Sequence, residues 1–370
     1  MTVELSNSQT LQAKYLVGCD GGRSLVRKTA GIEFPGLEAS VSYIIAEVKM
    51  NEKPKFGMRP EGGGIGPAPD GQSIGLVVAE KTVRKGDEPT EDELRQALIA
   101  TYGTDYGLHS INWMSRFSDA TRQAAAYRKG RVLLAGDAAH IHPPQGGQGL
   151  ATGLQDAVNL GWKLAQVVNK TSPESLLDTY HAERHPVGAR VLQNTRAQIV
   201  MSKPDKQHIA LHDIMTELLS LEDSRKHIAG MLTGLDIRYD LGEGHPLLGR
   251  RMPDLDLMIE DKSTRLFSLL HDAKGVLLNL SKDGSFDISD WSDRVKLVNA
   301  KYADAWELPV IGKVAPPKAV LIRPDGYVAW TGNITDPKLI PTLTTWFGAA
   351  NHTTPSSTPP AEQKSPRSRA

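Results

Sequence analysis

Two segments of this 370-residue chain order their side chains in a way that suits ligand chemistry. In the first, Tyr15-Leu-Val-Gly-Cys-Asp-Gly-Gly-Arg-Ser-Leu-Val-Arg27, an apolar run delivers Asp20 to a turn. Gly21 and Gly22 let the backbone approach a ligand there, and Ser24 can cap the helix that follows. Arg23 and Arg27 add cations beside that helix start, a combination suited to an anion; a plain strand–turn–helix corner with surface arginines fits the same residues. The second segment is Gly130-Arg-Val-Leu-Leu-Ala-Gly-Asp-Ala-Ala-His-Ile-His-Pro-Pro-Gln-Gly-Gly-Gln-Gly-Leu150. Here a buried strand ends at Asp137, and a loop of Pro143, Pro144 and glycines turns into a helix beginning near Gly149. An acid at the carboxyl edge of a sheet can accept hydrogen bonds from hydroxyls. The glycines leave room for a ring, and the helix N-terminus favours an electron-rich edge. A planar ligand with a polar tail is therefore expected, because so much glycine costs chain entropy and a buried aspartate needs partners.

Other clusters point to packing. His140 and His142 lack a third ligand or a nearby cysteine, so no metal is expected there. His181-Ala-Glu-Arg-His185 places two histidines at helical spacing, but its acid sits one position late for a His-Glu-x-x-His zinc site.

The elements that must hold these residues are legible in part. Alternation predicts an opening hairpin, Thr2–Leu5 and Leu11–Val17, about the polar turn Ser6-Asn7-Ser8. Strands are predicted at Val41–Val48 and Ser73–Ala79 with glycine-rich turns such as Glu61-Gly62-Gly63-Gly64, and a helix at Glu91–Tyr102 behind a Thr90/Glu93 capping box. Leu150, Leu154, Ala157, Val158, Leu164 and Val168 recur every three or four residues, which predicts a helix with one apolar face. Residues 174–235 read as mostly helical, with Pro186 and Pro204 as breaks or starts. The turn-rich stretch 241–249 marks a boundary, followed by an α/β unit. Its strands are predicted at Gly275–Leu280, Val295–Asn299, Ala319–Ile322 and Tyr327–Thr331, with helices at Thr264–His271 and Pro337–Trp346.

Composition narrows the classes. Forty-three basic residues balance 43 acidic ones, which argues against nucleic acid or an anionic membrane as the main partner. The single cysteine, Cys19, excludes an intrachain disulfide framework and fits a reducing compartment. No apolar run approaches the roughly 20 residues of a membrane span, and the N-terminus lacks a signal-peptide pattern, so the cytoplasm is expected.

Together the two glycine segments resemble the class A flavoprotein aromatic hydroxylases, the FAD- and NAD(P)H-dependent monooxygenases typified by para-hydroxybenzoate hydroxylase. Trp113-Met-Ser-Arg-Phe-Ser-Asp-Ala-Thr-Arg-Gln-Ala and Pro317-Lys-Ala-Val-Leu-Ile-Arg-Pro-Asp-Gly-Tyr-Val-Ala-Trp330 are similar to the subgroup acting on phenols and aromatic polyketides. The resemblance implies an α/β fold. Residues 1–33 and 117–240 would form a partial Rossmann-like FAD-binding domain, and 34–116 an inserted α+β substrate sheet. Residues 250–348 would form a thioredoxin-like domain, and 349–370 a disordered tail. It implies FAD as cofactor, NAD(P)H as co-substrate, and hydroxylation of an aromatic substrate by molecular oxygen through a flavin C4a-hydroperoxide. Asp20 and Arg23 would serve the pyrophosphate and nicotinamide, Asp137 the ribityl hydroxyls, and Pro144, Gly147, Gly149 and Leu150 the isoalloxazine wall. No protein nucleophile is assigned. Having no thiol, the C-terminal domain is given a structural role or one in subunit contact, as in a homodimer.

The pattern departs from the family at its start. No Gly-x-Gly-x-x-Gly turn for the ADP half of FAD occurs in the chain, Ala151 stands where Asn is frequent, and Gln145 where a small residue is usual. The first third of a typical member is therefore expected to be missing. Weak binding of FAD by the isolated chain, or none, follows from that. The rival expectation is a non-catalytic truncated homologue, or a subunit that needs a partner to supply the ADP-binding half.

Overall fold

The opening hairpin pairs Thr2–Glu4 with Thr10–Gln12 in a computed structural model that describes residues 1–59, 63–84, 88–201, 205–282 and 284–351. Of the tail expected at 349–370, residues 352–370 lie outside these, as do the turn residues 61–62 and the break at Pro204; 349–351 are instead tied down, Arg294 donating to Ala349 O and Asn351 N–H to Asp290 O, each at 3.0 Å. The run expected as one strand from Leu11 to Val17 is two. After Ala13-Lys14 the segment Leu16–Gly18 leaves the hairpin and lies parallel to Val132–Leu134, with Leu133↔Val17 and Leu134↔Gly18 in register. Burial of Leu133 and Leu134 in the central core makes that pairing worth more than extension of an exposed hairpin.

The middle of the chain forms a five-stranded antiparallel sheet in the order Gly57–Met58, Gly64–Pro67, Ile74–Ala79, Ser42–Met50, Leu108–Ser118. Ile44, Ala46 and Val48 point to one face, where α2 (Glu91–Tyr102) buries Leu94 and Leu98 against them. Both bonds of the capping box form: Glu93 N–H donates to Thr90 Oγ1 at 3.3 Å, and Thr90 N–H to Glu93 Oε2 at 2.9 Å. Ile45 and Glu47 stand on the opposite face, as the two-residue period requires.

The helical region consists of α3 (Gly149–Val168), α4 (Asp178–Met201), α5 (Lys206–Ser220) and α6 (Glu222–Thr233). Pro186 lies inside α4 without ending it, contrary to expectation; burial of Glu183, Arg184, Val187 and Val191 on both sides outweighs the lost ladder bond. The face of α3 is also the reverse of the expected one. Leu150, Leu154 and Val158 are exposed, by 88%, 63% and 47%, while Thr152, Asp156, Asn159 and Lys163 are buried. Period alone does not say which stripe faces inward. Here α4 supplies ion pairs for the polar one and Asp325 of the C-terminal domain accepts from Asn159 at 3.2 Å, so its burial is satisfied.

In the C-terminal domain, Gly275–Asn279 lies parallel to Val295–Asn299 and antiparallel to Ala319–Ile322, which pairs with Val328–Gly332. Helix α7 (Leu339–Phe347) closes one face. The helix expected at Thr264–His271 is absent. Lys262–Arg265 is a strand paired with Asp256–Ile259, followed by a 3-10 turn at Leu266–Leu270. Arg265 bridges Asp254 and Asp256 across that hairpin, a cross-strand tie that local propensity does not carry. Trp162 of α3 packs beside Trp346 and Phe347 of α7, so this domain shares its core with the helix that starts at Gly149.

Candidate functional site

The parallel pairing of Leu16–Gly18 with Val132–Leu134 brings the two acid-bearing turns to one carboxyl edge. Asp20 and Asp137, 117 positions apart in sequence, leave adjacent strands there, with Ala135 N–H bonded to Gly18 O at 3.0 Å. The turns are also clasped together. Arg27 donates to Ala138 O at 2.8 Å and to Gly22 O at 2.9 Å, and its guanidinium lies 3.6 Å over the Phe34 ring. Arg27 is buried, so it is a strut between the turns and not the free cation the spacing suggested.

Asp20 has a local task as well. Ser24 caps α1 (Leu25–Thr29) by accepting from Arg27 N–H at 2.9 Å, and Asp20 accepts from the Ser24 hydroxyl at 2.5 Å and from Val26 N–H at 3.1 Å. Partial burial pushes its carboxyl up, but the Ser24 hydroxyl and the backbone donors outweigh this and hold it below the usual range. Arg23 is exposed and has no ion pair among the described residues.

Asp137 departs from expectation. It is exposed, and no hydrogen bond from another described residue reaches its carboxylate. It was expected to be buried with partners; the residue that meets that description is Asp156, one turn of sheet and helix away. Asp156 is fully buried on α3 and accepts from Gly136 N–H at 3.1 Å, His140 Nε2 at 2.8 Å and Arg184 Nε at 2.7 Å. Burial pushes this carboxyl up, yet the His140 bond and the Arg184 charge prevail and keep it low. It thus pins both ends of the turn that presents Asp137. Gly136 has φ 60°, and a Cβ on Gly153 would come within 3.2 Å of its Cα, so helix and turn touch backbone to backbone.

Beyond Asp137 the loop runs past Pro144, which is exposed, to Gly146 and Gly147, whose φ values of 77° and 65° demand glycine. Gln148 ties the loop down: its amide donates to Met231 O at 3.0 Å and accepts from Asn194 at 3.0 Å. Gly149 opens α3, and Leu150 beside it points outward. His142 donates through Nδ1 to Pro143 O at 2.8 Å, burial pushes its pKa down, and its Nε2 lies near Gly149. Asp156, Arg184 and Gln148 escaped sequence reasoning. The signal was present, since Thr152, Asp156, Asn159 and Lys163 recur at helical spacing, but a polar stripe ordinarily marks the solvent face.

Two clefts flank this loop. One, of about 680 Å³, is apolar and lies on the open face of the five-stranded sheet; Ile45, Trp113, Phe117 and Pro144 are among its walls. The other, of about 420 Å³, is cationic and runs past Gly22, Arg23, Lys28, Arg84 and Arg122. Phe117 borders both. Among the described residues no group of three or more metal-ligating side chains converges, and no helix is long and apolar enough to cross a membrane.

A model described as an FAD binding domain matches residues 2–195, and one described as the aromatic-ring hydroxylase C-terminal domain matches 245–350. The chain is 44% identical to rifampicin monooxygenase of Streptomyces venezuelae over 367 residues, which covers 95% of this chain and 72% of that protein. It is 43% identical to the 12-dehydrotetracycline 5-monooxygenase/anhydrotetracycline 6-monooxygenase of Streptomyces rimosus, covering 91% and 70%. The solved structure of the OxyS anhydrotetracycline hydroxylase from Streptomyces rimosus superposes with a TM-score of 0.84 at 42% identity, covering 94% of this chain and 72% of that one.

Proposed function

Because this chain belongs to the FAD-binding aromatic-ring hydroxylases, the flavin-dependent monooxygenases, we propose that it hydroxylates a fused-ring phenol held over its five-stranded sheet, with NAD(P)H as reductant. What carries the substrate assignment is Pro144. It belongs to the glycine loop and also walls the apolar cleft, so the loop suited to a flavin ring and the space suited to an aromatic substrate share a boundary.

The residues fit the ring and ribityl part of FAD. Asp137 offers a carboxylate without a partner among the described residues, which hydroxyls can satisfy. Gly146 and Gly147 would leave room for the ring, and the N-terminus of α3 would favour an electron-rich edge placed against it, an effect of about 0.3–2 kcal/mol. When bound, FAD supplies the redox chemistry, taking electrons from NAD(P)H and activating oxygen. The protein's part is to place the substrate, exclude water and hold charge. The apolar walls do the first two. The cationic cleft, with Arg23 and Lys28 unpaired among the described residues, suits the phosphates of the dinucleotide on the other side of Phe117. Cys19, exposed and free, is compatible with the cytoplasm, where that reductant is found. For the C-terminal domain, the strand order of its four-stranded sheet supports the thioredoxin-like reading, and the shared Trp162–Trp346 core supports a structural role.

The test is an equilibrium titration of the 370-residue chain with FAD, read by the change in flavin fluorescence, followed by NAD(P)H-dependent oxygen uptake with a phenolic substrate at saturating FAD. A folded chain that holds no flavin at saturating FAD would refute the proposal.

A further inference from the structure

One row of the five-stranded sheet has an unusual composition. Read across the strands in register, Gly66 faces Gly75, Gly75 faces Glu47, and Glu47 faces Trp113. Directly opposed residues share a face. All of these residues line the apolar cleft, so the row forms part of its floor.

The glycines are not there for the backbone. Neither adopts a left-handed φ, and a Cβ on Gly66 would meet nothing within 4 Å, while one on Gly75 would touch only Gly66 O at 3.9 Å. Both positions would accept a side chain, and it would stand in the cleft. At about 5 Å per strand, the pair leaves a bare strip about 10 Å wide beside Glu47. Glu47 is the only charged side chain among the described residues lining the cleft. Its Oε1 accepts from Asn112 Nδ2 at 2.8 Å, and Asn112 is tied in turn to Ser73 Oγ at 3.0 Å. One carboxylate oxygen is thereby fixed, and Oε2 has no partner among the described residues.

We propose that Gly66, Gly75 and Glu47 are the specificity determinants of this cleft: the paired glycines admit a broad, flat polycycle, and Glu47 accepts a hydrogen bond from a hydroxyl on its edge. A floor of this width beside an indole wall suits about three to four fused rings, within the ordinary range for ligand clefts. The inference rests on the proposal that the cleft is the substrate site.

Calorimetric titration of the folded chain with 1-naphthol, 1-methoxynaphthalene and anhydrotetracycline tests it. Gly66→Val and Gly75→Val place a strand-favouring side chain on the floor. Each is expected to weaken anhydrotetracycline binding by at least about tenfold while leaving 1-naphthol within about twofold. Glu47→Gln is expected to weaken 1-naphthol by about tenfold and to leave its methyl ether unchanged. Valine variants that bind the larger ligand like the wild type, or lose both ligands equally, overturn the glycine part. Equal loss of naphthol and ether in Glu47→Gln overturns the acid's part. A chain that holds flavin but binds none of these ligands overturns the inference and leaves flavin binding standing; discrimination among the ligands without flavin supports the inference and counts against the redox proposal.

Discussion

Glu183 on α4 sits where the C-terminal domain meets the helices behind the glycine loop, and its replacement by glutamine should separate them energetically. Its carboxylate accepts from Arg323 at 2.5 and 3.0 Å, from Lys163 Nζ at 2.8 Å and from Asn159 Nδ2 at 2.7 Å. Arg323 also pairs with Asp325 at 2.6 Å. Burial alone would push the Glu183 carboxyl up, but the charges of Arg323 and Lys163 hold it down, from an ordinary 4.5 to about 2. At about 1.4 kcal/mol for each tenfold change in proton affinity, that corresponds to about 3 kcal/mol of folding stability. The sign follows from the depressed value. The contribution is present above about pH 4.5 and is lost as the pH falls toward about 2. Glu183→Gln also strands Arg323, which has no exposed surface, beside a neutral amide. Breaking one side of a buried pair costs about 3–5 kcal/mol, so the two routes give the same magnitude. Urea denaturation of wild type and variant at neutral pH, and of wild type across the acid range, measures both. A variant within about 1 kcal/mol of wild type at neutral pH would show that the remaining partner, Asp325, suffices for Arg323 and that the interdomain cluster is redundant.

Three further outcomes are expected. Asp137→Ala should leave unfolding unchanged, since the carboxylate has no partner among the described residues, yet weaken flavin binding by about 1–3 kcal/mol in a fluorescence titration; unchanged affinity removes Asp137 from the site. Leu154→Gln and Val158→Gln on the exposed stripe of α3 should alter stability by no more than about 0.5 kcal/mol and reduce binding of a hydrophobic dye, whereas a core-sized loss would mean this stripe is covered in solution. Thr90→Ala removes the side-chain half of the α2 capping box and should cost about 1 kcal/mol in chemical denaturation, with no effect on flavin binding.

Features governed by near neighbours in the chain were legible without coordinates. The capping box at Thr90 and Glu93 and the span of α2 depend on contacts three residues apart, and the glycine turn at 146–147 on positive φ. The alternation of Ile44, Ala46 and Val48 states which residues share a face of a strand, and the two glycine motifs carry the family. What the chain does not state locally is which face meets what. The apolar stripe of α3 and its polar stripe have equal claims as periods. Arg184 and Glu183 supply the ion pairs that draw the polar stripe inward, and Arg323, from the C-terminal domain, pairs with Glu183 in turn. Pro186 survives within α4 for a similar reason, because packing on both sides outweighs a local preference. The site itself is a tertiary product. Parallel pairing of Leu16–Gly18 with Val132–Leu134 sets two distant aspartates on one edge, and the same contact gives the buried role to Asp156 and leaves Asp137 facing outward. A carboxylate's identity is written in the sequence; whether it is satisfied by the protein or left for a ligand is decided only when the strands and helices close around it.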